Sequence, residues 1–243
     1  LNIILFLLIS IMKRIYINNK LEKNLIHQLD FDQFIHLSKV IRLKPKDEIL
    51  LFNNLDGEWL SAIEKIGKKH IEVRCISKFS EPKPVPRIDL LFSPIKYQNS
   101  ETIIRQGTEI GVRKFYPTTF SRTVVDKVNM KKFNNYALSA SQQSGRTHIP
   151  EINNISKIEH QKTILEKMNI LMFDENLEGK EIGKFNIDSN QDILIIVGPE
   201  GGFSDKERIF ISSFSKIFHN LKIGSRILKA DTAVVSALSL VFH

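Results

Sequence analysis

The fold of this chain is decided by the stretch Val197-Gly198-Pro199-Glu200-Gly201-Gly202-Phe203-Ser204-Asp205-Lys206-Glu207. It begins at the last residue of a predicted strand, 192–197, in which residues 193–197 are all apolar, as is typical of a strand covered on both faces in a parallel sheet. Ser204 and Glu207 have the spacing of a capping box and predict a helix start. The buried face of that helix is predicted from residues at helical spacing, namely Phe210, Phe214, Ile217 and Phe218. A glycine-rich turn between such a strand and helix is where open α/β sheets usually bind ligands.

The composition of this loop argues against a phosphate ligand. Amides at a helix start attract anions, but Glu200 places a carboxylate in the same loop. The spacing of the glycines fits neither a Walker loop nor the dinucleotide fingerprint. We therefore expect the loop to contact a ligand through its backbone, and the alternative is a tight turn with glycines at positive φ.

A second glycine turn follows one helix later. The sequence Leu221-Lys222-Ile223-Gly224-Ser225-Arg226-Ile227-Leu228-Lys229-Ala230-Asp231-Thr232-Ala233 predicts a short strand, a turn and a new helix with Asp231 as its N-cap. One helical crossover separates the two predicted strands. We therefore expect the strands to lie side by side in a parallel sheet and their turns to share one ligand.

These two blocks resemble the RsmE family, which comprises bacterial methyltransferases acting on uridine N3 in 16S ribosomal RNA, within the SPOUT superfamily. Residues 141–152 are similar to the family's Gly-Arg…Pro-Glu-Ile segment, and 109–117 to its Glu-Leu-Gly-Val helix end. Residues 14–16 and 36–47 resemble its N-terminal RNA-binding domain. The resemblance runs from about Met12 to near the C-terminus, although Lys229 and Asp231 stand where the family usually has Arg and Glu.

The resemblance implies an α/β fold in which a small PUA-like β-barrel domain precedes a SPOUT-type C-terminal α/β domain with a trefoil knot. It implies that the knot loops bind S-adenosyl-L-methionine in a bent form, mostly through backbone groups. It also implies a cytoplasmic homodimer with each active site near the dimer interface. The partner it implies is 16S rRNA within the assembled 30S subunit.

Site residues carried over from the resemblance fall into three groups. The cofactor loops comprise Val197, Gly198, Pro199, Glu200, Gly201, Gly202, Ile223, Gly224, Ile227, Leu228 and Ala233. The catalytic candidates are Glu200, Asp231 and Arg226. The candidates for holding RNA are Arg14, Arg42, Arg122 and Arg146. Either carboxylate is a possible base for the uridine N3 proton, and Arg226 a possible partner for the uracil anion. The structural alternative is that Glu200 holds its own loop and Asp231 caps its helix.

Charge is distributed unevenly along the 243 residues. The net charge of +8 divides into +4 over residues 12–80, +6 over 81–150 and −2 over 151–243. Such a division is expected of an RNA-binding part followed by a small-ligand part, and the alternative is a generally basic protein. The single cysteine, Cys75, excludes an intramolecular disulfide, and the seven histidines lack metal-ligand spacing, so we predict no metal.

Turn-forming and proline-rich segments, together with changes in composition along the chain, predict the domain boundaries. Residues 1–11 are apolar but too few to span a bilayer, and we interpret them as an extension outside the native protein, which would start at Met12. A short membrane-associating segment is the alternative. Residues 12–80 predict a β-barrel-like domain with a hairpin turn at 53–57. The proline-rich stretch 81–86 predicts an extended linker. Residues 87–243 predict the methyltransferase domain, with helices near 98–111 and 130–144.

Two other functions remain open at this stage. The first is a SPOUT methyltransferase that acts on a ribose 2′-hydroxyl or on tRNA. The second is a non-catalytic RNA-binding protein of the same fold. The PUA-like half and the Gly-Arg…Pro-Glu-Ile segment favour the RsmE function over the first. The intact glycine turns argue against the second, because a pure RNA binder needs no small-ligand site.

Overall fold

The computed structural model describes residues 12–174, 180–181, 191–214 and 217–242. The chain divides into two compact units. The described part of the first runs up to Pro84 and also includes Ser141–His148. The second comprises Val85–Ala140 and the residues from Ile149 onwards. No sequence pattern indicates that 141–148 belongs with the first unit. The predicted extension 1–11 lies outside the described residues.

The first unit contains a five-stranded mixed sheet. Its strands are β1 (Arg14–Tyr16), β2 (Ile26–Gln28), β3 (Glu48–Asn53), β4 (Gly57–Ile66) and β5 (Ile71–Ser80), in the spatial order β1-β3-β4-β5-β2. β1 is parallel to β3, and the other neighbours are antiparallel. The hairpin turn predicted between β3 and β4 is confirmed, since Asn53 pairs with Gly57.

One hydrophobic core lies within this first unit. A short helix, α1 (Phe31–Phe34), continues into a π-helical turn (Ile35–Val40) that buries Leu37. Leu37 packs in the same cluster as the strand residues Ile49, Leu51 and Val73. Cys75, the single cysteine, is fully buried in this cluster and packs as part of the core.

The second unit is built on a parallel sheet of eight strands. They are β6 (Ile88–Phe92), β7 (Lys114–Thr119), β8 (Glu151–Ile152), β9 (Ser156–Lys157), β10 (Asn169–Phe173), β11 (Lys180–Glu181), β12 (Ile193–Val197) and β13 (Phe218–Lys222). Their spatial order is β11-β13-β10-β12-β6-β7-β8, with β9 beside β7. β12 lies near the centre, between β10 and β6.

Helices cover both faces of this sheet. They are α2 (Tyr97–Ile110), α3 (Met130–Ser144), α4 (Lys162–Lys167), α5 (Asp205–Ser212) and α6 (Ala230–Phe242). Ile195 of β12 belongs to the core on the α2 and α6 side, and its neighbour Ile196 to the core on the α4 and α5 side. The prediction of a strand buried on both faces is therefore confirmed.

Three details differ from the sequence-based expectations. Helix α5 ends at Ser212, because the hydroxyls of Ser212 and Ser213 donate to backbone carbonyls of the last turn. Phe218, expected on that helix, begins β13. The strands that carry the two glycine turns are not adjacent, because β10 is hydrogen-bonded to both. Helix α6 begins at Ala230, so Asp231 lies in its first turn and is not the N-cap.

Two kinds of feature are absent from the described ranges. No helix within them is both long enough and apolar enough to cross a bilayer. In the same parts of the chain, no three or more His, Cys, Asp or Glu side chains lie together as ligands of a metal ion would. The absence of a metal therefore stays a prediction from the sequence.

Candidate active site

An open pocket of about 570 Å³ lies where the sheet strands β10 and β12 end. Of the residues predicted to bind a cofactor, those that line it are Val197, Gly198, Pro199, Glu200, Gly202, Ile223, Ile227, Leu228 and Ala233. Gly201 and Gly224 do not. The other lining residues are Phe173, Asp174, Phe203, Arg226 and Ala230. This volume includes solvent-open space at the mouth of the pocket, and the lining presents polar and apolar surface in about equal parts.

The glycine loop, residues 198–203, has a backbone that only glycine can supply at two positions. Gly202 has φ +70°, and its N–H donates to the Pro199 carbonyl at 2.8 Å. A Cβ on Gly198 would lie 2.7 Å from the Phe203 ring, which is itself buried. The two glycines therefore let the loop backbone come close to the pocket, beside the lining residues Pro199, Glu200 and Phe203.

The predicted capping box at the start of α5 is confirmed. The Glu207 Oε2 atom accepts from the Ser204 N–H at 2.7 Å, and the Ser204 hydroxyl accepts from the Glu207 N–H. The other oxygen of Glu207, Oε1, accepts from the backbone N–H of Ser121 at 2.6 Å. Burial alone would raise the pKa of Glu207, but these hydrogen bonds outweigh it and lower the pKa. No sequence pattern predicted the bond to Ser121.

Asp174 is a pocket residue that the sequence analysis also missed. It directly follows β10, and its side chain is fully buried. Arg208 on α5 donates to both of its carboxylate oxygens. The hydrogen bond to Asp174 is the main cause of a raised pKa for Arg208. The available signal was the apolar run 170–173 with a polar residue directly after it, since a similar apolar run predicted β12.

The structure brings two of the three catalytic candidates to the pocket. Glu200 and Arg226 both line it, and both side chains are exposed to solvent. Asp231 does not line the pocket. Its Oδ1 accepts from the Thr232 N–H at 2.9 Å, as expected for an acid in the first turn of a helix.

Arg14 was predicted to hold RNA, but the structure shows its side chain engaged inside the protein, so that role stays a prediction. Its guanidinium forms an ion pair with Glu58 at 2.7 Å, and both side chains are only 8% exposed. It lies 4.3 Å from the centre of the Phe52 ring. It also donates, at 2.9 Å each, to the backbone carbonyls of Ser141, Gln142 and Arg146. Arg14 therefore ties the segment 141–148 to the sheet of the first unit, with its donors engaged inside the protein.

The other three arginines remain candidates for RNA contact. Arg42 is exposed and has φ +64°, two residues after the end of the π-helical turn. Arg122 is exposed, and its Nη1 donates to the Gly201 carbonyl at 2.7 Å. Arg146 is half-buried, and this burial lowers its pKa to about 10, so the side chain stays charged at neutral pH.

Two sequence families match this chain. A family described as an RNA methyltransferase domain matches residues 81–242, two thirds of the chain. A second, described as an RNA methyltransferase PUA domain, matches residues 29–75. The second match lies within the mixed sheet unit and the first includes the whole pocket. The predicted arrangement of a PUA-like domain followed by an α/β methyltransferase domain is therefore confirmed.

Similar proteins carry consistent names. Ribosomal RNA small subunit methyltransferase E from Rickettsia conorii is 33% identical over 232 residues, covering 94% of each chain. The protein of that name from Bacillus subtilis is 25% identical, covering 86% of each. A methyltransferase structure from Legionella pneumophila with bound SAM has a TM-score of 0.84 at 25% identity, covering 95% of this chain and 96% of that one. This chain therefore belongs to the ribosomal RNA small subunit methyltransferase E family.

Proposed function

We propose that this protein transfers a methyl group from S-adenosylmethionine to N3 of one uridine in the 16S rRNA of the small ribosomal subunit. The pocket bounded by the glycine loop and residues 223–233 is the observation that carries the proposal. It occurs in a chain whose relatives are named as small-subunit rRNA methyltransferases and whose structural neighbour from Legionella pneumophila binds SAM. The choice of uridine N3 rests on the sequence resemblance.

The chemistry of the pocket fits this cofactor. S-adenosylmethionine carries a positive sulfonium, an ammonium and a carboxylate together with a flat adenine. The described lining offers two carboxylates, Asp174 and Glu200, and one cation, Arg226. Ile227 and Leu228 offer apolar surface for a ring, and the glycine loop offers backbone groups. When bound, the cofactor supplies a methyl group on a positively charged sulfur.

The residues of the pocket would supply what the reaction needs besides the methyl group. Uridine N3 carries a proton at neutral pH and becomes a good nucleophile once that proton leaves. Glu200 would accept the proton, since it is the solvent-exposed carboxylate of the pocket. Arg226 would stabilise the uracil anion. The glycine loop would hold the reacting groups in line, which lowers the entropic part of the barrier.

The first unit would hold the RNA. Arg42 is accompanied by three exposed cations in the same segment, namely Lys39, Lys44 and Lys46. Such a cluster binds phosphates without reading sequence. The target uridine would have to leave its stack, because N3 lies on the base-pairing edge and is otherwise inaccessible.

We further propose the finer features that the resemblance implies, which are a trefoil knot, a homodimer and a cytoplasmic location. The dimer is supported by large apolar side chains left exposed on the second unit, for example Ile209 at 69% and Ile227 at 74%. Light scattering on the purified protein tests it, and a monomer at micromolar concentration would contradict it.

The test of the proposed function uses labelled S-adenosylmethionine and small ribosomal subunits that lack uridine N3 methylation. After incubation, the rRNA is digested and its nucleosides are separated. We expect the label in 3-methyluridine, and none with subunits that already carry this group. Label in another nucleoside would replace the uridine N3 proposal with another RNA methylation. Absence of both label and cofactor binding would favour a non-catalytic RNA-binding protein. A parallel reaction on free 16S rRNA tests whether the assembled subunit is needed.

A further inference from the structure

The segment that follows β7, residues 120–123, contacts the glycine loop and α5 at three points. The rings of Phe120 and Phe203 meet edge to face, with centroids 5.2 Å apart. The Arg122 Nη1 donates to the Gly201 carbonyl at 2.7 Å. The Ser121 N–H donates to the Glu207 Oε1 at 2.6 Å. We call residues 120–123 the β7 segment.

Glu207 uses its two oxygens for two different purposes. Oε2 accepts from the Ser204 backbone and hydroxyl and so completes the capping box. Oε1 faces away from this cap to the β7 segment. The capping function needs only the first oxygen. Glu207 is only 7% exposed, so its two oxygens depend on these donors rather than on water.

The glycine loop has two faces. Glu200 and Gly202 line the pocket, whereas Gly201 between them does not. The Gly201 carbonyl instead accepts from Arg122. The β7 segment therefore supports the loop at the residue that is turned away from the pocket. Arg122 is exposed, and one of its nitrogens holds this carbonyl, so the rest of its guanidinium faces solvent beside the loop.

We propose that Glu207 is a positioning residue that joins the β7 segment to the glycine loop and thereby holds Arg122 in place for the RNA. This role rests on the proposed function, in which the glycine loop holds the cofactor and Arg122 meets RNA. Loosening Oε1 from Ser121 would free the β7 segment. The main effect would be on kcat/KM for the RNA substrate, with a smaller effect on cofactor affinity.

Amide hydrogen exchange tests the contact without any need for activity. Glu207→Gln keeps the shape but retains one acceptor oxygen, so it cannot serve both Ser121 and Ser204. Ser204→Ala is the matched control, because it weakens the helix cap and leaves the Ser121 bond. We expect exchange in residues 120–123 to rise about tenfold in the first variant and less than about twofold in the second. Equal protection in both would overturn the proposal. Glu207→Asp, which keeps the charge but is too short to reach both partners, replaces the first variant if that one does not fold.

A double-mutant cycle with Arg122→Ala then separates positioning from general stability. We expect Glu207→Gln to lower kcat/KM for small subunits about tenfold, with the cofactor Kd changed less than about threefold. In the Arg122→Ala background the same substitution should lower kcat/KM less than about twofold. Additive losses would mean that Glu207 acts only through stability, and would overturn the proposal. If the unmutated protein transfers no methyl group, the proposed function fails, and the exchange experiment still decides whether Glu207 joins the two segments.

Discussion

Arg208 donates to both carboxylate oxygens of Asp174, from Nε to Oδ2 at 2.6 Å and from Nη2 to Oδ1 at 3.1 Å. The arginine lies on the helix that follows the glycine loop, and the aspartate directly follows β10, the strand between β12 and β13. The pair thus links two walls of the pocket, and its geometry is the bidentate one that favours a charged hydrogen bond.

Arg208→Ala should destabilise the second unit by about 3 kcal/mol, because it removes the bidentate partner of a fully buried carboxylate. Urea unfolding measures this change. Lys206→Ala is the control on the same helix, where the side chain is exposed, and we expect a change within about 0.5 kcal/mol. We also expect weaker cofactor binding in the Arg208 variant only. Equal effects of the two substitutions would show that the pair does not stabilise this wall.

Gly202→Val should abolish binding of S-adenosylmethionine while leaving RNA binding largely intact. A β-branched residue is strained at φ +70°, and its side chain would change the loop that lines the pocket. Gly145→Val is the matched control, since Gly145 has φ +77° and lies in the first unit. Calorimetric titration with the cofactor distinguishes the two variants, because only Gly202→Val should abolish cofactor binding. An unchanged titration in the Gly202 variant would exclude the glycine loop as the cofactor site.

Arg14→Ala should lower stability by about 3–5 kcal/mol, because Glu58 would remain buried without its cation. The matched control is Arg42→Ala, at an exposed arginine. We expect Arg42→Ala to change the free energy of unfolding by less than about 0.5 kcal/mol. It should weaken RNA binding and reduce the slope of log binding constant against log salt concentration by about one. Denaturant unfolding and RNA titrations at several salt concentrations test both. A stable Arg14→Ala protein with weakened RNA binding would support the original prediction for Arg14.

His27 predicts a pH dependence of stability. It is 5% exposed on β2, and burial lowers its pKa from the ordinary 6.5. The unfolded chain therefore binds the proton more readily, so stability should fall as the pH drops from 6.5 through the folded pKa. We expect the melting temperature of the His27→Gln variant to depend less on pH than that of the unmutated protein, between about pH 7.5 and 5. His36→Gln, at an exposed histidine, is the control. Identical slopes in all three proteins would contradict the prediction.

Local signals were enough to predict much of the second unit. The apolar run before the glycine loop and the spacing of Ser204 and Glu207 act over a few residues, and both features are present in the structure. Helices α2 and α3 lie within a residue of their predicted bounds. Most of the predicted loop residues line the pocket for the same reason, since a strand end fixes where its turn points.

Non-local relations could not be predicted in the same way. In a parallel sheet the spatial order of strands departs from chain order, so β10 lies unforeseen between β12 and β13 and places Asp174 in the pocket. Arg14 meets carbonyls 127 to 132 positions away along the chain. No periodicity or spacing reports such a contact, and an arginine in a basic segment has the same local signature whether it meets RNA or the protein's own backbone.

Reverse transcription across 16S rRNA, before and after incubation with the protein and S-adenosylmethionine, tests the central claim most directly. A methyl group on uridine N3 blocks the base-pairing edge, so the polymerase should stop. We predict one new strong stop at a single uridine, dependent on the cofactor, insensitive to high nucleotide concentration and absent with the Gly202→Val variant. Methyl label incorporated without any such stop would contradict the account, because the group would then lie away from the base-pairing edge, as on a ribose 2′-oxygen.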